Sequence, residues 1–136
     1  MRQVPRFAGL WVTVGMWAAW CAVPTGGAVQ AQTAESAAAL ATVKSDLRRL
    51  VGANEVYHAK TRRYAADVAT VPGFTASVHV SITVVSASAT GWSGTATSTA
   101  APGKSCTIWV GTGVPHPTTA ALGLSGPEAV PTCDRP

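Results

Sequence analysis

Acidic side chains are scarce in this chain, six against ten lysines and arginines, and charged residues make up only 12% of it. The carboxylates Glu35, Asp46, Glu55, Asp67, Glu128 and Asp134 are scattered, with no pair set out for general acid and base work. Glu55 and Asp67 are expected to cap turns or to pair with Arg62 and Arg63. His58, His79 and His116 fall on three separate segments, without the i, i+4 spacing of helical metal ligands. No Gly-x-Ser-x-Gly elbow is present. Pro102-Gly103-Lys104-Ser105 contains a Gly-Lys-Ser, but Ser98 stands where a phosphate loop needs its earlier glycine. That segment also lies between strands and does not open a helix, so it reads as a hairpin turn. These shortages leave no catalytic constellation. The expectation is an interaction protein and not an enzyme, with no cofactor, no metal ion and no identifiable small-molecule substrate.

What is present begins with an export pattern. Arg2 and Arg6 make a positive n-region, Phe7 to Val23 is an uncharged and mostly apolar run, and Val29-Gln30-Ala31 offers small residues at signal-peptidase spacing. Pro24, Gly26 and Gly27 are expected to break any helix before that site. The sequence therefore predicts a secretory signal peptide over 1–31, cut between Ala31 and Gln32, and one domain over 32–136. Bulky Trp20 ahead of Cys21 argues against a lipoprotein cut. An uncut leader would instead act as an anchor, since about 17 apolar residues sit at the short edge of a bilayer span. Either way the expected location is outside the cytoplasm, in the periplasm, the extracellular space or on the cell surface.

Loss of the leader has two consequences. The formal charge falls from +4 to about +2, which weakens any argument for nucleic acid from overall basicity. Cys21 also leaves, so that Cys106 and Cys133 remain as a pair able to bridge in an oxidising compartment. Such a bridge would close about 27 residues.

In the remaining chain the hydrophobic period changes once. Thr33 is placed to cap a helix, with Glu35 in its first turn. Leu40, Val43, Leu47, Leu50, Asn54 and Tyr57 then recur at spacings of three and four, widened by Val51 and His58, as far as about Lys60. Lys44, Arg48, Glu55 and Lys60 fall on the other sides, and Gly52 either permits close packing or is merely tolerated. After Pro72-Gly73 the period becomes two: Val78, Val80, Ile82 and Val84 alternate with His79, Ser81, Thr83 and Val85. Trp92–Ala100 and Cys106–Val110 read as second and third strands, with a brief extended stretch over Ala129–Cys133. Short turns between neighbours predict an antiparallel meander. The fold class is thus α+β: one long N-terminal amphipathic helix on a small antiparallel sheet of three to four strands, with a disulfide-stapled C-terminal loop.

Several segments in this order resemble the globular part of type IV pilins and pseudopilins. They are Ala53-Asn54-Glu55-Val56-Tyr57 at the helix end, Tyr64-Ala65-Ala66-Asp67, Gly91-Trp92-Ser93-Gly94, Lys104-Ser105-Cys106-Thr107-Ile108, and the tail Gly126 to Asp134 with its last cysteine. The likeness runs from about Ala34 to Asp134. It implies a pilin-like head working as a structural or adaptor component of a surface, adhesion or secretion-type assembly with protein partners. The leader differs from that family's, because Gly9 is followed by Leu10-Trp11-Val12-Thr13-Val14 without a glutamate.

Candidate contact residues follow from exposure and charge. Lys60, Arg62 and Arg63 form a basic cluster beside Tyr57 and Tyr64, available to an anionic surface or DNA or simply matched to the helix dipole. Trp109 lies on the strand face opposite Cys106, Ile108 and Val110. His116 sits in the Gly111–Glu128 loop, which a disulfide would tie at both ends. A small periplasmic ligand-binding module is the alternative, and a hydrolase with a site built from scattered polar residues a third. Convergence of His79, His116 or acids in a pocket would favour either.

Overall fold

Alanine is by far the commonest residue in the segment before residue 50, and it gives up no side-chain freedom in a helix. In the computed structural model, which describes residues 26–136, this segment belongs to one 36-residue helix, α1 (Gly26–Thr61). At 1.5 Å per residue it is about 54 Å long. Its start corrects the expected one. Gly26 and Gly27 open the helix and do not break it, and Thr33 lies inside it. The Thr33 hydroxyl donates to the carbonyls of Val29 (3.2 Å) and Gln30 (2.9 Å), a back-bond that a helix interior accepts. Two glycines at a helix start cost about 1 kcal/mol each, too little to stop the run of good helix formers behind them. The n-region, the apolar run Phe7–Val23 and Cys21 lie outside the described residues. Ala31 and Gln32 lie in the exposed first turns of α1. Among the described residues no helix is long and apolar enough to cross a membrane.

The expected stripe faces the core. Leu40, Val43, Leu47, Leu50 and Asn54 are buried, and Val51 and Tyr57 are half-buried. Asn54 is polar among them for a reason: its Oδ1 accepts the N–H of buried Ala65 at 2.9 Å. This bond ties the chain leaving the helix back onto it. Asn54→Leu keeps the volume but strands that amide, and should lower the unfolding free energy by about 1–3 kcal/mol in urea titration. Gly52 is exposed, and a Cβ there would touch nothing within 4 Å. It is tolerated and not needed for packing, so Gly52→Ala should raise stability by about 1 kcal/mol.

Past α1, Asp67 caps a short 3-10 turn (Val68–Thr70), its carboxylate accepting from Ala69 N–H at 2.9 Å. Glu55 neither caps nor pairs with an arginine; it accepts the Tyr64 phenol at 2.9 Å. Four strands follow: β1 (Val80–Ala87), β2 (Gly91–Ser98), β3 (Ser105–Gly111) and β4 (Thr132–Cys133). They form one antiparallel sheet in the order β1-β2-β3-β4. The first strand starts later than expected because His79 takes φ 68, outside the extended region, which leaves Val78 exposed. The last is shorter because Ala129 sits at φ 58 and Pro131 has no N–H for the ladder. Trp92 and Ala96 of β2 and Cys106, Ile108 and Val110 of β3 lie on the face that meets α1, and all are buried. The molecule is therefore α+β, one long helix on a four-stranded meander.

Candidate interaction surface

Alternation along β3 divides its residues between two faces. Cys106, Ile108 and Val110 look to the helix; Ser105, Thr107 and Trp109 look the other way. Cys106 stands opposite Cys133 in the β3–β4 register, and the two form the disulfide. The bridge closes a 27-residue separation that includes the whole Gly111–Glu128 loop.

That loop is held by the outer-face residues. Ser105 Oγ accepts Ala120 N–H at 2.7 Å, the Trp109 indole N–H donates to the Gly126 carbonyl at 2.9 Å, and Glu128 accepts Gly111 N–H at 2.7 Å. Gly111, at φ 81, passes so close to Thr90 that a Cβ would collide with its carbonyl. Asp134 is the main anchor. It is 3% exposed, and its carboxylate accepts Ser105 N–H at 2.9 Å, Ala121 N–H at 3.1 Å and Leu122 N–H at 2.8 Å. Burial pushes its pKa up, but hydrogen bonds from the Thr119 hydroxyl and from these three amides outweigh that and hold the carboxyl below its ordinary range.

The loop brings two of the expected contact residues together. His116, exposed, stacks on half-buried Trp109 with ring centroids 3.8 Å apart and planes 13° from parallel. Trp109 is thus largely loop support, and the surface it offers is shared with His116. Leu122 and Leu124 are exposed on the same loop.

Lys60, Arg62 and Arg63 are elsewhere, all exposed at the C-terminal end of α1. No hydrogen bond or ion pair joins them to the Trp109–His116 pair among the described residues. His58 stacks on Tyr64 at 4.3 Å and its Nε2 lies 2.9 Å from the Ala89 carbonyl, which docks this helix end on the β1–β2 turn. Desolvation, the hydrogen bond to Glu55 and the charges of Glu55 and Glu128 push the Tyr64 phenol up to about 12. Those same carboxylates dilute the positive field of the cluster. Arg62 closes the helix at φ 62, its N–H bonded to the His58 carbonyl at 2.8 Å. Glycine takes that conformation freely, so Arg62→Gly should stabilise the fold by about 0.5–1 kcal/mol while removing one cation.

The sequence reading missed a basic groove between α1 and the end of the described chain. Lys44, Arg48 and Arg135 line it, with Leu40 and Cys133 in its floor, and it encloses about 350 Å³. The available signal was Lys44 and Arg48 at i, i+4, where like charges normally repel. A smaller groove of about 240 Å³ brings His79 and Glu35 together, while His116 lies apart on the loop. No three His, Cys, Asp or Glu side chains stand close enough to hold a metal ion among the described residues. The chain matches no protein-family model and no curated protein.

Proposed function

We propose that this is an exported, pilin-like structural and interaction domain, a component or adaptor of a cell-surface or secretion-type assembly. The observation that carries the reading is the shape of α1 relative to its head. Residues 32–35, which follow the expected cut, are exposed, while from Ala39 onward one face of the same helix is buried against the meander. An exposed helical extension on a disulfide-closed head is what a subunit needs if it is to pack by its helix and display its loop. A disulfide also fits an oxidising compartment. The Trp109–His116 pair and exposed Leu122 and Leu124, fixed on a rigid loop, supply a contact face at low ordering cost.

The test is fractionation of cells producing the full chain, combined with in situ crosslinking and intact-mass analysis. Recovery in a sheared or crosslinked high-mass surface fraction is the expected result, and removal of residues 33–35, which leaves the expected cut between Ala31 and Gln32 in place, should abolish it. An uncrosslinked monomer confined to the soluble periplasm would overturn the reading. A small periplasmic binding module would then stand, with the Glu35–His79 groove as its favouring observation.

A further inference from the structure

We propose that the groove between α1 and the C-terminal segment is a docking site for an acidic peptide segment of a partner protein. The proposal deepens the assembly reading by naming the partner's chemistry at one surface. Three cations line the groove, and none stands within ion-pair distance of a carboxylate among the described residues, where Arg49–Asp46 is the one ion pair. The contrast between neighbours is informative. Arg49 is held by Asp46 at 2.8 Å and also donates to the Thr75 carbonyl, while Arg48, one residue earlier, faces the groove.

Lys44 and Arg48 lie one turn apart on one side of the groove, and Arg135 lies across it. Lys104 donates to the Arg135 carbonyl at 2.6 Å, which fixes the backbone of the far wall and brings a fourth cation near it. Asp134 also lines the groove and keeps its negative charge, but the three cations outnumber it and its oxygens are already engaged by the amides of Ser105, Ala121 and Leu122. Like charges at i, i+4 cost a few tenths of a kcal/mol in an isolated helix. A bound anion turns that cost into attraction, and Arg48 and Arg135 each present a fork suited to a carboxylate.

The floor decides the class of anion. Ala37, Leu40, Ala41 and Cys133 make it apolar, so the occupant has an aliphatic as well as an acidic part. No aromatic residue lines the groove, which leaves out the stacking platform of a single-stranded nucleic-acid site and the tryptophan or tyrosine belt of a lipid-facing one. The enclosed volume suits a few side chains and not a duplex. An extended segment carrying glutamate or aspartate beside leucine or valine meets both demands.

The experiment uses the full chain and a fluorescent peptide of about ten residues rich in glutamate and leucine, followed by anisotropy. A glutamine-for-glutamate peptide, a short DNA duplex and anionic phosphatidylglycerol vesicles serve as comparison probes. The expected result is saturable binding of the acidic peptide alone, weakened at least about tenfold by Lys44→Glu with Arg48→Glu, and weakened by added salt. Lys60→Glu with Arg63→Glu should leave it unchanged. The neutral pair Lys44→Gln with Arg48→Gln gives an intermediate loss and guards against a folding defect in the reversal. Equal binding of the glutamine peptide, preference for duplex or vesicles, concentration-dependent self-association that displaces the peptide, or no binding at millimolar peptide would each overturn the proposal. Those outcomes leave the assembly reading standing, because surface fractionation tests it separately.

Discussion

Removal of the Cys106–Cys133 bridge is expected to lower the unfolding free energy by about 3–4 kcal/mol. The figure follows from the loop it closes, a separation of 27 residues whose closure entropy the unfolded chain regains when the bond is cut. Domains of this size commonly hold about 5–15 kcal/mol in total, so the loss is a large share. Cys106 is fully buried, and a serine there would bury a hydroxyl; Cys106→Ala with Cys133→Ala is the cleaner variant. Urea unfolding of that variant, and of the native chain with and without reductant, gives the number. An unchanged midpoint would mean that β4 and the Asp134 anchor hold the segment unaided. The local effect should exceed the global one. Amide exchange at Ala121 and Leu122 should rise first, because the bridge stands next to the carboxylate that holds those amides.

Asp134→Ala should cost about 3 kcal/mol and make acid unfolding shallower. Hydrogen bonds to a charged group are worth about 1.5–3 kcal/mol each, and the buried Ser105 amide has no route to water once the carboxylate is gone. Ala121 and Leu122 belong to exposed residues and regain solvent, so their share is smaller. The sign of the pH effect follows from the direction of the shift. The folded carboxyl titrates below its ordinary value of 3.8. Its contribution is therefore complete above that value, the unfolded pKa, and is lost as pH falls through the lower folded one. The native protein should lose stability across that acid window, and the alanine variant should lose less, so that the difference between them shrinks toward low pH. Urea midpoints measured from neutral pH down to about pH 2 test it. A constant difference at every pH would show that the carboxylate is not the linked group.

Much of this architecture was readable because burial imposes a period. Leu40, Val43, Leu47 and Leu50 declare one helix face, and the alternation from Val80 to Val84 declares one sheet face. Cys106 and Cys133 form the bridge expected of them. What failed to read were positions where two local preferences compete. Thr33 has the chemistry of a cap and the ability to bond back inside a helix, and the surrounding alanines decide between them. His79 and Ala129 continue extended patterns on paper, yet their positive φ ends them. Asn54 looked like one more position of a stripe, and its Ala65 partner comes from eleven residues away. Glu55, expected to meet an arginine or cap a turn, meets Tyr64.

The candidate surfaces divide in the same way. Lys60, Arg62 and Arg63 are neighbours in sequence and so had to be neighbours in space. The anchoring of Asp134 by the amides of Ser105, Ala121 and Leu122 and the meeting of Lys44 and Arg48 with Arg135 join segments far apart along the chain, and Trp109 meets His116 only because the loop folds back on β3. Periodicity reports which side of an element is buried, and together with the turn positions and the cysteine count it determined the helix, the meander and the bridge. It carries no information on which exposed sides the closed chain sets against each other. That was decided only when the disulfide brought the C-terminal segment beside the helix, because a groove is a property of two surfaces and each sequence segment encodes one.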